Sequence, residues 1–266
     1  MRDPQTPPVP SPAAADFSAR EGAALVLGAS GGLGAAIAGL LLDRGSRVAM
    51  TYRRPSAVVA GLAAGHPGRA RAYQLDLADA AACAGVTAAV AADFGGVHTV
   101  VYASGPDVPM RHLSTVPQET LRSQLEQDAI AFLNAMVPLL PLLRASRGNV
   151  VAVTTAATSR YPVRDGLSSI PKAAVEAAVR AIAAEEGRFG VRANSVGPGL
   201  LTDGMGARLI AEGELDTRAL DVARHNIPLR RFGTAADVAE AVCFLASDRA
   251  CFISGQKLDV DGGYGV

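Results

Sequence analysis

Short apolar runs recur along the chain, separated by stretches long enough to hold a helix. They fall near residues 24–28, 47–51, 70–75, 97–102, 149–154, 191–196 and 256–260. Within each run the apolar character is nearly continuous, as in Ala23-Ala-Leu-Val-Leu27 and Asn149-Val-Val-Ala-Val153. Strands buried on both faces read this way, and strands alternating with helical segments predict βαβ units around a parallel sheet. No second domain and no internal repeat stands out. Residues 1–20 begin Pro-rich and are expected to form a disordered tail before one domain spanning 21–266. The longest irregular stretch, Pro198 to about Leu215, contains Gly204, Gly206 and Gly213 and suits a mobile lid.

Composition narrows the function classes. The chain has 266 residues, 49% of them hydrophobic, which suffices for one large α/β core. Lys plus Arg and Asp plus Glu are 25 each, and no basic stripe accompanies aromatic residues, so nucleic acid is not an expected partner. No apolar run reaches the roughly 18 residues of a membrane span, and no apolar signal segment opens the chain. Cys83, Cys243 and Cys251 are scattered and odd in number, which points to reduced thiols in a cytoplasm and to no metal site.

The run at 24–28 leads into Gly28-Ala-Ser-Gly-Gly-Leu-Gly34 and then a helix-forming segment to Leu42. Gly28 permits a sharp turn off the strand, Gly32 a close backbone approach to a pyrophosphate, and Gly34 tight packing of helix on strand. The free N–H groups and positive dipole end of the helix then face the phosphates. Gly28, Ser30, Gly31, Gly32, Leu33 and Gly34 are the expected phosphate-binding set, and the fold expected around them is a Rossmann fold. It is a doubly wound, seven-stranded parallel sheet with helices on both faces.

The spacing G-x-x-x-G-x-G resembles the short-chain dehydrogenase/reductase family, and the likeness extends through nearly the whole chain. Leu27 stands where that family usually has Thr. At the end of the second run, Tyr52 occupies the place of the carboxylate that bonds a ribose 2′-OH in NAD-binding proteins, and Arg53 and Arg54 follow. Guanidinium groups suit a 2′-phosphate, so NADP(H) is the expected cofactor; the plainer reading is two solvated arginines at a strand end. The resemblance assigns Asp76 and Leu77 to the adenine, and Ala103, Ser104 and Gly105 to the ribose side. It assigns Pro198 and Gly199, in Asn194-Ser-Val-Gly-Pro-Gly199, to the nicotinamide side. The Thr that grips the carboxamide aligns with Asp203, while Thr202 sits one residue earlier.

The family's catalytic group is Asn, Ser, Tyr, and a Lys four residues after the Tyr. Alignment on Pro171-Lys-Ala-Ala-Val175 makes Lys172 the lysine, Ser168 the Tyr position, Thr155 the Ser position and Asp128 the Asn position. Thr for Ser keeps a hydroxyl. Ser for Tyr removes a phenol whose pKa, ordinarily about 10, the lysine lowers, and leaves a shorter and much weaker acid. Lys172 keeps its ribose role. Asp128 either pairs with Lys172 and relays protons through water, or forms a structural ion pair. Tyr161 and Asp165 share the loop ahead of Ser168, and His112 and His225 lie in or near other loops; Asp165 could face the substrate, yet a loop carboxylate is most often solvated, and the other three read as surface residues.

Three readings follow. The first is an NADPH-dependent ketoreductase whose proton comes from a hydroxyl of the substrate or from water, acting on a polycyclic aromatic ketone. The missing Tyr resembles the angucyclinone ketoreductases of simocyclinone-type antibiotic pathways, which implies a polyketide substrate. The second reduces an iminium ion, which needs no proton donor and which Asp128 would stabilise. The third is an NADP-binding scaffold without redox chemistry. Family resemblance further implies a homotetramer or homodimer built on helices around 117–145 and 168–188, consistent with the apolar stretch Ala131 to Leu143.

Overall fold

The computed structural model describes residues 16–202 and 217–266. Seven strands form one parallel sheet: β1 (Ala23–Leu27), β2 (Val48–Tyr52), β3 (Ala70–Gln74), β4 (Val97–Tyr102), β5 (Asn149–Val153), β6 (Arg192–Pro198) and β7 (Lys257–Val260). Their order is β3-β2-β1-β4-β5-β6-β7. All seven expected strands are present within one or two residues. The order in which strands are added reverses between β1 and β4, the place where doubly wound sheets open a crevice at their carboxyl ends.

Helices cover both faces: α1 (Gly32–Asp43), α2 (Ala57–Gly65), α3 (Ala80–Phe94), α4 (Gln118–Leu125), α5 (Ala131–Ser146), α6 (Gly166–Glu186), α7 (Thr217–Asn226) and α8 (Ala235–Ala246). Successive strand residues point to opposite faces. Leu25, Leu27, Val100 and Tyr102 therefore join Phe132, Met136, Leu139 and Val179 in one core. Val26, Met50, Val101 and Val151 join Ile37, Leu41, Val238 and Val242 in the other.

A π-helical turn, Glu126–Ile130, links α4 to α5 without a break. The resulting helix, Gln118–Ser146, has 29 residues and by length and composition is apolar enough to cross a membrane. The uninterrupted apolar runs within it stay short, as expected, because Asn134 and Arg144 break the sequence without spoiling its average. Its Phe132, Met136, Leu139 and Leu143 are nevertheless spent on the core of the sheet.

The last residues of the expected tail are already packed. Phe17 is 1% exposed and stacks on His98 with ring centroids 6.1 Å apart. Asp16 pairs with Arg249 at 3.0 Å, and Arg20 with Asp248. Residues 1–15 lie outside the described chain, as do Asp203 and residues 203–216 of the expected lid.

His98 is buried beside Ser46 and Thr99. Burial, reinforced by Arg20 and Arg47, lowers its pKa to about 3. The unfolded chain takes up a proton near pH 6.5 that the folded chain refuses until about pH 3, so this group withdraws stability as pH falls through that window. We expect His98→Gln to flatten the acid limb. In urea titrations the difference between variant and parent should move in the variant's favour by about 1.4 kcal/mol per pH unit below pH 6.

Candidate active site

The crevice at the ends of β1, β2 and β4 is shaped by two glycines. Gly28 has φ of +87°, and a Cβ on it would lie 2.9 Å from the Ser104 Cα. A Cβ on Gly34 would lie 2.3 Å from the Gly28 carbonyl oxygen. Only glycine fits either place, so the turn lies flat under the start of α1. Thr51 fixes it from β2: its Oγ1 accepts from the Gly28 N–H at 3.1 Å, and its carbonyl accepts from the Ala29 N–H at 2.9 Å. Gly31 caps α1 with no side-chain acceptor, which leaves the first-turn N–H groups of Gly32, Leu33 and Gly34 available to an anion.

The cleft beside this turn has a volume of about 210 Å³. Gly28, Ser30 and Gly31 line one end, Tyr52 and Arg53 the β2 side, Asp76 and Leu77 the β3 side, and Ala103, Ser104 and Gly105 the β4 side. Arg54 is exposed and is not among the lining residues. Asp76 Oδ1 accepts from the Ala78 N–H at 3.0 Å, which holds the loop after β3 in place. Asn134 supports the same loop, donating to the Leu77 carbonyl at 3.1 Å. Pro106, Gln127 and Ala131 also line the cleft, and no local motif marks them.

At the far end, Lys172 of α6 is nearly enclosed. Its Nζ donates to the Ser104 carbonyl at 2.9 Å and to Asp128 Oδ1 at 3.0 Å. Side-chain exposure is 12% for Lys172 and 4% for Asp128. An ammonium has three N–H donors, so one remains for a ligand. Asp128 owes its position to the π turn and to Tyr102. The Tyr102 hydroxyl donates to the Asp128 carbonyl oxygen (2.9 Å) and lies 3.2 Å from its Oδ1. Burial, then the charge of Asp128 and this hydrogen bond, push the Tyr102 phenol well above its ordinary range. The Tyr102 ring also lies under Lys172, 5.3 Å from Nζ. Gly105 closes this end: a Cβ on it would meet Lys172 Nζ at 3.4 Å and Asp128 Oδ2 at 3.8 Å.

Thr155, at the end of β5, caps a short 3-10 turn and accepts from the Ala157 N–H at 3.1 Å. Ser168 lies in the first turn of α6, half-buried, its N–H on the Asp165 carbonyl. Neither is among the hydrogen-bond partners of Lys172. Behind Thr155, Thr158 donates to Glu176 Oε1 at 2.8 Å, and Lys257 pairs with Glu176 at 3.4 Å. That buried group ties the loop to α6 and β7. Pro198 ends β6, and the Gly199 N–H bonds the Val260 carbonyl at 3.0 Å. Thr202 turns its hydroxyl to the Gly233 carbonyl at 3.3 Å. Tyr161 is 61% exposed.

A glycine turn under an uncapped helix, with a buried lysine facing it across the sheet's crevice, defines a dinucleotide-dependent oxidoreductase of the Rossmann class. Residues 28–265 match a family model described as enoyl-(acyl carrier protein) reductase. The chain belongs to the short-chain dehydrogenase/reductase family. It is 33% identical to cis-4-hydroxycyclohexanecarboxylate dehydrogenase of Sinomonas cyclohexanicum over 248 residues, 92% of this chain and 96% of that one. It is 32% identical to versicolorin reductase 1 of Aspergillus parasiticus over 250 residues, covering 90% and 95%. A short-chain dehydrogenase of Burkholderia cenocepacia in complex with NADP superimposes with a TM-score of 0.82 at 30% identity, covering 94% of this chain and all of that one.

Two outcomes follow from this geometry. Tyr102→Phe leaves the Asp128 carbonyl without its hydroxyl donor in a buried site, and should cost about 1–3 kcal/mol in chemical denaturation. Gly34→Ala drives a methyl into the turn. It should abolish detectable nicotinamide-dinucleotide binding by fluorescence titration, while circular dichroism still reports the sheet.

Proposed function

We propose that the protein is an NADPH-dependent ketoreductase. In this reading it acts on a polycyclic aromatic, angucyclinone-like polyketide ketone, and the proton comes from a substrate hydroxyl or water rather than from a tyrosine. One observation carries the reading: the side chain one turn ahead of Lys172 on α6 is the aliphatic hydroxyl of Ser168. Tyr102 does not replace the absent phenol, since it is fully buried and its hydroxyl is committed to Asp128. Tyr161 is turned out to solvent. Asp128, on which an iminium substrate would draw, is already engaged by Lys172 and Tyr102, so the ketone is favoured over the iminium. The ring alcohol in the name of one relative supports a cyclic ketone or alcohol as the reacting class.

The Gly28–Gly34 turn would hold the pyrophosphate and Asp76 and Leu77 the adenine. Arg53 would hold the 2′-phosphate, with Arg54 adding charge from outside the cleft. Ala103, Ser104, Gly105 and the spare N–H of Lys172 would hold the ribose, with Pro198, Gly199 and Thr202 on the nicotinamide side. When bound, NADPH supplies the hydride. Thr155 and Ser168 offer hydroxyls to orient the carbonyl, and Lys172, fixed by Ser104 and Asp128, keeps the ribose side rigid. A domain that reaches back to Asp16 rather than starting at Glu21, a cytoplasmic setting and a homodimeric or homotetrameric state complete the reading. Ile130, Leu133 and Val137, exposed at i, i+3 and i+7 along the helix, supply an apolar stripe for such an interface.

The test compares 8-hydroxy-1-tetralone, whose phenol is hydrogen-bonded to its ketone, with 1-tetralone, following loss of NADPH absorbance. Hydroxylated tetracyclic ketones extend the panel. The hydroxylated tetralone should react about a hundredfold faster. Equal rates, or no oxidation of NADPH by any ketone, would overturn the reading. Arg53→Ala should weaken NADPH binding about tenfold and leave NADH unchanged; equal losses for both would remove the preference for NADP.

A further inference from the structure

One carboxyl group beside this site remains unexplained. Asp165 is the residue before the first turn of α6, and its carbonyl accepts the N–H groups of Ser168 and Ser169, both at 3.0 Å. Its own carboxyl does not cap the helix and has no hydrogen bond or ion pair among the described residues. Asp165 stands at the N-cap of α6, about one turn ahead of Ser168 and two ahead of Lys172, which share a helix face at i and i+4. The loop that carries Asp165 leaves β5, and it is pinned to the loop leaving β4. The Arg111 N–H donates to the Arg164 carbonyl at 3.1 Å, and Arg164 donates to the Met110 carbonyl at 2.6 and 3.0 Å. Both loops rise from the sheet edge on which the cleft opens.

From this placement we propose that Asp165 is the protein's proton source for the reaction: its carboxylic acid hands a proton to the water or substrate hydroxyl that protonates the carbonyl oxygen. The proposal rests on the ketoreductase reading above and deepens it. Reduction turns the C=O π bond into a C–H and an O–H bond. NADPH is the reductant that accounts for the hydride and becomes NADP⁺. The proton leaves the Asp165 carboxyl, passes through the hydroxyl or water, and is replaced from solvent at the mouth of the site. One solvent proton is consumed per turnover.

The surroundings keep such an acid supplied with its proton. Burial raises the Asp165 pKa to about 6, and it is the whole cause. The ionisable neighbours are otherwise engaged or uninvolved. Arg164 is turned to the Met110 carbonyl, Lys172 to Asp128 and Ser104, and Arg111 and His112 of the facing loop do not contribute. An acid in this range matches a general acid working near neutral pH far better than an ordinary aspartate.

The experiment joins carbon-13 NMR of aspartate-labelled protein with pH–rate profiles on 8-hydroxy-1-tetralone. A carboxyl resonance titrating near pH 6 should be present in the parent and missing from Asp165→Asn. Parental kcat/KM should fall above about pH 6. Asp165→Asn should lose that fall together with about a hundredfold in kcat, Asp165→Glu should recover part of it, and NADPH affinity should be unchanged in both. A resonance titrating near pH 4, or an Asn variant with the parental rate and profile, would overturn the assignment and leave the ketoreductase reading intact. Failure of every ketone to oxidise NADPH would remove both, a result distinct from the other two.

Discussion

Everything at the chemical end of this protein depends on how the Lys172 ammonium is held. An amine at the end of four methylenes is ordinarily mobile, and its entropy must be overcome before it can position anything. Here Ser104 grips it from the loop after β4 and Asp128 from a helix, and the Tyr102 ring lies below. The buried pair is retained although burying charges is costly, because each charge is the other's partner and the Tyr102 hydroxyl adds a further polar contact to Asp128. Strand β4, the π turn and α6 are thus joined as one unit, and Gly105, packed against Lys172 and Asp128, carries it to the lining of the cleft.

The π turn is what makes the arrangement possible. One extra residue in the helical ladder displaces the helix locally, and such bulges gather at functional positions. At Glu126–Ile130 it brings Asp128 toward Tyr102 and Lys172 while α5 continues unbroken into the core. The same helix therefore serves the site at one end and the hydrophobic interior along the rest of its length.

Much of this was legible in the amino-acid sequence. The strand runs were evident because strands covered on both faces carry near-continuous apolar residues, and Gly28 and Gly34 stand where a side chain would collide with backbone. The spacing of Lys172 from Ser168 and Thr155 was equally plain. Tyr102 was not, because its role lies 26 residues from Asp128 and only the pairing of β4 beneath the π turn brings them together. Arg53 and Arg54 look equivalent in sequence, but the strand end turns only the first into the cleft. Asp165 read as a solvated loop carboxylate, since desolvation comes from packing that no local pattern encodes. The packing of Phe17 was hidden for a similar reason: a lone aromatic after a Pro-rich stretch carries no period.

That aromatic sets a limit on how far the chain can be shortened. Phe17 fills the space against His98 at the end of the sheet remote from the cleft, and Asp16 and Arg20 fasten the strap on either side of it. A recombinant form beginning at Glu21 would keep every residue that lines the crevice. It would also open an aromatic-sized void at the opposite pole and strip away neighbours that shelter a neutral imidazole. Trimming for crystallisation or fusion is therefore best stopped ahead of Asp16.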